Sequence, residues 1–304
     1  MDLALSFLAQ IARIVVPYAM VAVGGCLSER SGVVNIGLEG ILLNGAFGTA
    51  VGTIATGSPA FGILCGVASG AATAFIHALV TVRARADQIV SGLAINIASL
   101  AGTRALLKVF YASASNSPRL LENATVPLPG FGALGTLGET IGQPLFLAAV
   151  AIWILADRLL LRSGVGLLVR AAGERPPALE ASGFDVARVR GLAIVTGGAI
   201  AGIGGAWLAF QQNSFTDGMS GGRGYIALAA MIAGRWRPGG AVAACLVFAA
   251  AEAFQIRLAG RGVSTQFLNM LPYLVALGVL AGWVGRAVPP AALGRPYRRG
   301  ADET

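Results

Sequence analysis

Glu29-Arg30-Ser31-Gly32-Val33-Val34-Asn35-Ile36-Gly37-Leu38-Glu39-Gly40 sets three charges and three glycines between two apolar runs, residues 8 to 26 and 38 to 56. The stretch has two readings. It is either a polar turn at a membrane surface, or a broken helix entering the membrane, with free backbone groups and Asn35 lining a path. The second follows because irregular backbone at depth needs a cavity or protein around it. A second interruption, Gly221-Gly222-Arg223-Gly224-Tyr225 through Gly234 and then Pro238-Gly239-Gly240, stands in the other half of the chain. No sequence repeat relates the two, yet two such breaks favour a transporter over a structural scaffold.

The rest of the sequence agrees with a membrane setting. Of 304 residues, 56% are hydrophobic and 12% charged, against roughly 25% charged in soluble domains, and mean hydropathy is +0.74. The composition argues against a water-soluble globule. The 43 glycines sit inside apolar runs without a collagen period, which suits close helix packing. A span needs about 20 apolar residues, and nine candidates run roughly 8 to 26, 38 to 56, 60 to 82, 88 to 110, 144 to 161, 191 to 210, 225 to 234, 239 to 256 and 267 to 285. The expected fold is an all-α polytopic bundle of about 8 to 10 transmembrane segments with discontinuous helices, forming a single domain over residues 1 to 304. The seventh candidate is too short to cross alone, so it is a half-helix or is continuous with its neighbour.

The 22 basic residues against 14 acidic ones give a net charge of +8. They fall between apolar runs and form no stripe, which argues for membrane orientation and against nucleic acid. Arg158, Arg162, Arg170, Arg175, Arg188 and Arg190, with Arg286, Arg295, Arg298 and Arg299, mark the cytoplasmic side. Counting crossings back adds Arg30, Arg83, Arg85, Arg235 and Arg237 to that side. Arg119, Arg223, Arg257 and Arg261 remain outside. The N-terminus is then expected outside and the tail, 286 to 304, in the cytoplasm. The first run lacks a basic leader and a clear cleavage site, so it reads as a retained span. The outer loop 111 to 143, rich in proline and glycine, reads as irregular turns forming a docking surface or lid. In the inner loop 162 to 190, Arg175-Pro176-Pro177 through Ser182-Gly183 punctuates a short helix of about two turns. Cys26, Cys65 and Cys245 form neither a disulfide framework nor a zinc spacing.

Chemistry-bearing residues are sparse. A P-loop needs a lysine after its glycines, and the only lysine, Lys108, lies in an apolar run. ATP hydrolysis therefore belongs to another polypeptide. No metal cluster or serine–histidine–aspartate constellation stands out, and His77 reads as a packed or interfacial histidine. The acids in or beside spans are Glu252, Glu39 and Asp157. Glu252 either pairs with Arg257, about one turn on, or couples transport to an ion gradient. The amides Asn35, Asn44, Gln88, Asn96, Gln211, Gln212 and Gln255 either knit helices together or bind a neutral polar solute. Asn35, Glu39, Asn44, Gln88, Asn96 and Glu252 are the candidate path residues.

Glu29 to Gly40 resembles the signature of the membrane permease subunits of bacterial ABC importers in the branched-chain amino acid, ribose and nucleoside group, on its nucleoside or simple-sugar branch. Gln88-Ile89-Val90-Ser91-Gly92 with Asn96, Ala172-Gly173-Glu174 with Ala181-Ser182-Gly183, and Gly234-Arg235-Trp236 with Pro238 and Gly240 follow in the family's order. The resemblance spans about residues 10 to 285. It implies a heteromeric importer for nucleosides, with simple sugars or branched-chain amino acids as alternatives. Its expected partners are a second homologous permease, a cytoplasmic ATP-binding subunit that holds ATP and Mg, and an extracytoplasmic solute-binding lipoprotein in a bacterial inner membrane. This chain would hold no cofactor. Gly173, Glu174, Ala181 and Gly183 match the element that docks on the ATPase. Two departures are the stiffer Pro176-Pro177 pair and a start without the extra first span of ribose-type relatives.

Overall fold

The computed structural model describes residues 2–120, 127–131, 135–259, 264–282 and 287–298. Arg261, Arg286, Arg299, part of the loop 111 to 143 and the last residues of the tail lie outside them. The helices are α1 (Asp2–Arg30), α2 (Leu38–Thr56), α3 (Pro59–Ala78), α4 (Gln88–Tyr111), α5 (Gly135–Ile141), α6 (Pro144–Arg162), α7 (Gly164–Glu174), α8 (Pro176–Ala181), α9 (Val186–Gln212), α10 (Arg223–Ala233), α11 (Pro238–Leu258) and α12 (Thr265–Gly282). A π-helical turn, Leu79–Arg83, extends α3. Among the described residues the one β feature is an isolated bridge between Asn116 and Thr216. Helices α1, α2, α3 with its π turn, α4, α6, α9 and α11 are long and apolar enough to cross a membrane. With the shorter α10 and α12 they account for all nine expected spans.

Local chemistry sets the helix boundaries. Proline opens α3, α6, α8 and α11, where its missing N–H costs nothing. The side chains of Ser58, Asp87, Ser163 and Asp185 accept the first free N–H groups of α3, α4, α7 and α9. Helix α9 is the axis of the bundle, and its glycines set the spacing. A methyl group on Gly197 would lie 2.3 Å from the Gly24 carbonyl oxygen of α1, and one on Gly202 would lie 2.5 Å from the Gly66 oxygen of α3. One on Gly205 would lie 2.4 Å from the Ala46 nitrogen of α2. Backbone-to-backbone approach of this kind is how helices gain contact where lipid is as apolar as the side chains.

Contacts gather Arg30, Arg190, Arg235 and Arg295 at one end. Arg30 at the end of α1 donates to the Trp236 carbonyl at 2.8 Å and the Arg235 carbonyl at 3.3 Å. Arg190 donates to the carbonyls of Ala172 and Arg295, both at 3.0 Å. Arg235 and Trp236 both adopt left-handed backbone, φ 57° and 53°, a strained pair that ends α10. Arg30 holds their carbonyls, and Glu29 accepts the Trp236 indole N–H at 2.6 Å.

Two loop expectations need correction. The loop 162 to 190 holds α7 as well as the short α8, because the glycine-rich start Gly164-Val165-Gly166 is capped by Ser163. The loop 111 to 143 is not all irregular turns. It contains α5, tied to α1 by Arg13 donating to Thr140 at 3.0 Å. Its residues 115 to 120 pair with the 213 to 217 turn through Ser117 to Phe215, Leu120 to Asn213 and Asp217 to Ser115 backbone bonds.

Candidate functional site

Helices α2 and α10 both begin inside the bundle. The loop Ser31 to Gly37 folds back from the end of α1, and the turn after α9 folds back to Gly222. The 11 residues of α10 set Gly222 about 16 Å from the Arg235–Trp236 turn. Asn96, which bonds the same region, lies about 12 Å into α4 from Gln88. The two helix starts therefore meet near mid-height, and Glu39 joins them. Its Oε1 accepts the Gly222 N–H at 2.7 Å and its Oε2 the Gly224 N–H at 2.6 Å. A carboxylate suits this place, since two helix N-termini present free N–H groups and positive dipole ends to it. Gly224 is required there, because a methyl group would lie 2.5 Å from the Glu39 Cα.

Amides hold the rest of the broken segment. Asn96 Oδ1 accepts the Gly40 N–H at 2.8 Å, and its Nδ2 donates to the Ile36 carbonyl and the Tyr225 hydroxyl, both at 3.0 Å. Gln88 Oε1 accepts the Val34 N–H at 2.7 Å. His77 is fully buried, with Nε2 3.0 Å from the Val34 carbonyl and Nδ1 3.0 Å from Ser91 Oγ. Its Nε2 therefore carries the proton and Nδ1 accepts, a packed histidine as the sequence suggested. Asn35 is fully buried, and neither end of its amide has a partner among the described residues. The same holds for Gln88 Nε2.

Glu252 does not rely on the expected neighbour. Its carboxylate accepts from Arg223 of α10 at 3.1 Å and from the Tyr18 hydroxyl of α1 at 2.5 Å. Arg257 instead donates to Ser6 at 2.6 Å and lies over the Phe7 ring. Arg223 also bonds the carbonyls of Met219 and Ser220, so it is a bundle residue, not the loop arginine expected. Asp157 accepts the Gly239 N–H at 2.9 Å and caps α11.

The structure thus brings Asn35, Glu39, Gln88 and Asn96 together around one break, with Glu252 reached through Arg223. Asn44 stands apart. Its Nδ2 bonds Thr73 and Ser99, tying α2 to α3 and α4 beside a largely apolar cavity of about 720 Å³. Sequence reasoning missed Tyr18, Arg223, Tyr225 and Tyr273. Tyr225 and Tyr273 are 43% and 49% exposed, and the Tyr273 hydroxyl lies 3.1 Å from where a Gly222 side chain would begin. A polar-tipped ring inside an apolar segment was the available signal.

At the basic end, α8 runs Pro176–Ala181, and Gly183 follows with φ 86°. Pro176 and Leu179 are buried against α7 and α9, whereas Pro177, Ala178, Ala181 and Gly183 face outward. Gly173 packs on the α1–α2 turn, where a methyl group would lie 2.2 Å from the Arg30 carbonyl oxygen. Glu174 pairs with Arg30 at 3.6 Å and accepts the Ala291 N–H at 3.2 Å.

A polytopic helical bundle whose two broken helices meet at mid-height around charged and amide side chains defines a membrane transport protein. The chain belongs to the family described as branched-chain amino acid transport system / permease component, whose profile matches residues 7–284. It is 34% identical over 298 residues to the guanosine ABC transporter permease protein NupQ of Bacillus subtilis, with 93% of each chain covered. It is 36% identical over 295 residues to the nucleoside ABC transporter permease protein NupC of Lactococcus lactis, covering 92% of this chain and 93% of the relative. A relative from Haloferax volcanii, provisionally named as a glucose ABC transporter permease, is 30% identical over 320 residues, covering 93% of this chain and 94% of the relative. The chain is therefore a multi-pass permease.

Proposed function

We propose that this chain is the permease subunit of a binding-protein-dependent ABC importer for nucleosides. Solute would move by alternating access, driven by a separate ATPase subunit that holds ATP and Mg. A second, homologous permease would complete the path, and an extracytoplasmic lipoprotein would deliver solute. The basic end would face the cytoplasm and the N-terminus the outside, as the arginine distribution favours.

The observation that carries the reading is the junction of α2 and α10 at Glu39, where two helices begin near mid-height beside half-exposed side chains. The charges there suit a neutral solute. Arg223 is engaged by Glu252 and two carbonyls, and Glu39 by two N–H groups. Neither is left for a phosphate or carboxylate. Tyr225 and Tyr273, 43% and 49% exposed, offer rings on which any nucleobase can stack. The names of the two nucleoside-permease relatives support the same class of solute.

The outward face of α8 would seat in the ATPase, with Gly173 and Glu174 holding that element to α1. Ala181 and Gly183 would form its docking end. Replacing Glu174 with Arg, or Gly183 with a bulky residue, is expected to abolish uptake while membrane insertion persists.

The deciding experiment purifies the assembled complex, reconstitutes it in liposomes with ATP, and compares uptake of labelled guanosine, adenosine, ribose, glucose and leucine. Nucleoside uptake that requires ATP and the binding protein is expected. Transport of glucose or leucine alone would refute the substrate. Uptake by this chain alone, collapsed by a protonophore, would refute the ABC mechanism.

A further inference from the structure

On the surface between the basic-end halves of α3 and α9 lies a crevice of about 410 Å³. Its walls are Phe75, Leu79, Leu192 and Val195, and its mouth carries Arg83 and Arg188. Leu192 is 69% exposed, so the slot opens sideways, away from the bundle core. Gly191 forms a notch in it: a methyl group built there meets nothing within 4 Å.

The charges at the mouth are unbalanced. Asp185 is the acidic group lining the crevice, and Arg188 uses both its oxygens. Oδ1 accepts the Arg188 backbone N–H at 3.1 Å as the cap of α9, and Oδ2 pairs with Arg188 Nε at 3.3 Å. The Arg188 side chain is still 85% exposed. Arg83, at the end of the π turn, has no ion-pair partner among the described residues. Two guanidinium groups thus stand where the apolar surface of two spanning helices stops, directly above an apolar slot.

A free phosphate would use the charges and leave the slot unfilled. A neutral lipid would fill the slot and leave the charges unmatched. We propose that the crevice binds one anionic phospholipid of the leaflet at the basic end. Its headgroup phosphate would lie between Arg83 and Arg188, and an acyl chain would run along Leu79, Leu192 and Val195. The site adjoins the proposed coupling element. A neighbouring groove of about 390 Å³ shares Val82, Asp185, Ala187 and Arg188 with it and reaches Glu180, Gly183 and Tyr297. A bound headgroup would therefore brace the start of α9 beside α8.

The test uses the assembled complex in nanodiscs containing equal phosphatidylglycerol and phosphatidylcholine, followed by detergent washing and mass spectrometry of the retained lipid. One phosphatidylglycerol per complex is expected for the wild type. Each basic residue near a membrane surface contributes about fivefold to anionic-lipid binding, so R83Q/R188Q should retain it about thirtyfold less well. G191L, which has space to fold, should exclude it by filling the notch. R119Q, at the opposite end, should behave as wild type. Equal retention of phosphatidylcholine, or unchanged retention in both crevice variants while they remain monodisperse, would overturn the proposal. Displacement of the lipid by millimolar inorganic phosphate would reassign the site to a free anion. Cross-linking of G191C to the second permease would show protein in the crevice and overturn it equally.

Discussion

Gly173→Ala adds one methyl group to the element proposed to couple this permease to its ATPase. That methyl would sit 2.2 Å from the Arg30 carbonyl oxygen and 3.0 Å from the Gly32 nitrogen, whereas ordinary contact begins at 3.4 Å. The oxygen belongs to backbone, so no side chain can swing aside. The segments are also strapped together by Ala292 donating to the Gly173 carbonyl at 2.8 Å, Gly294 to the Gly32 carbonyl at 3.1 Å and Arg190 to the Ala172 carbonyl at 3.0 Å. Parting them strains all three bonds. Overpacking of this kind costs about 1–3 kcal/mol, or roughly 2–5 °C in Tm for a chain of this size. A misplacement of about 1 Å in a coupled element costs up to roughly a hundredfold in rate. Gly164→Ala is the matched control: it is the same substitution on the same helix, and its methyl meets nothing within 4 Å. Thermal unfolding of the purified complex and nucleoside uptake in liposomes give the two readouts. A Gly173→Ala complex with the Tm and uptake of Gly164→Ala would refute the close-packed junction and the coupling role built on it.

Three further substitutions separate the roles of the charged and aromatic groups. Glu252→Gln keeps an acceptor for Tyr18 and Arg223 but removes the charge, so it should lower stability by about 1–3 kcal/mol and leave ATP-driven uptake measurable and insensitive to a protonophore. Complete loss of uptake in a stable Glu252→Gln protein would instead point to ion coupling. Trp236→Phe removes the indole N–H that Glu29 accepts, leaving a buried carboxylate with the Asn35 N–H at 3.4 Å. A cost of about 1–3 kcal/mol by thermal unfolding is expected, and an unchanged Tm would contradict it. Tyr225→Leu removes a stacking face worth about 1–3 kcal/mol per base. It should cut nucleoside uptake roughly fivefold to 150-fold without changing complex yield, and full uptake would remove Tyr225 from the path.

The spans were legible because each is a long apolar run bounded by charge, proline or glycine, and the short seventh run proved to be α10, a helix that starts at mid-height. The α8 helix was legible for the same local reason: Pro176 opens it and Gly183 closes it. What the sequence hid was pairing across the bundle. Arg257 is close to Glu252 along the chain, but α10 brings Arg223 to Glu252, and Tyr18 arrives from 234 positions away. Asn44 and Asn96 look alike as amides inside spans. Both tie three helices, Asn44 joining α2 to α3 and α4 and Asn96 joining α4 to α2 and to the half-exposed Tyr225 of α10, partners that exist only once the helices are packed. Helix α7 was missed because glycine at positions 164 and 166 reads as loop. Ser163 caps the helix, and Gly166 permits close packing, since a methyl there would lie 2.1 Å from the Leu159 carbonyl oxygen.

Arg30 gives the proposed cycle its physical continuity. One guanidinium nitrogen faces Glu174 at 3.6 Å, and the others hold the carbonyls of Arg235 and Trp236 that end α10. A shift of the α7–α8 element driven from outside the chain would therefore load the end of α10 through a single planar group. Helix α10 is short and rigid, and its other end is bonded to Glu39 of α2. It has two ways to respond. Either α2 moves with it, carrying the break at Asn35, or the two Glu39 bonds open and free the carboxylate and two N–H groups at mid-height. Both outcomes change the polar groups offered to a solute there. The Asn35 amide and Gln88 Nε2 have no partner among the described residues, and an unsatisfied buried amide group costs about 1–3 kcal/mol, so a movement that gave them one would be favoured. A second arrangement that satisfied them would differ from this one in free energy, and such a difference is what lets binding at one end bias the other.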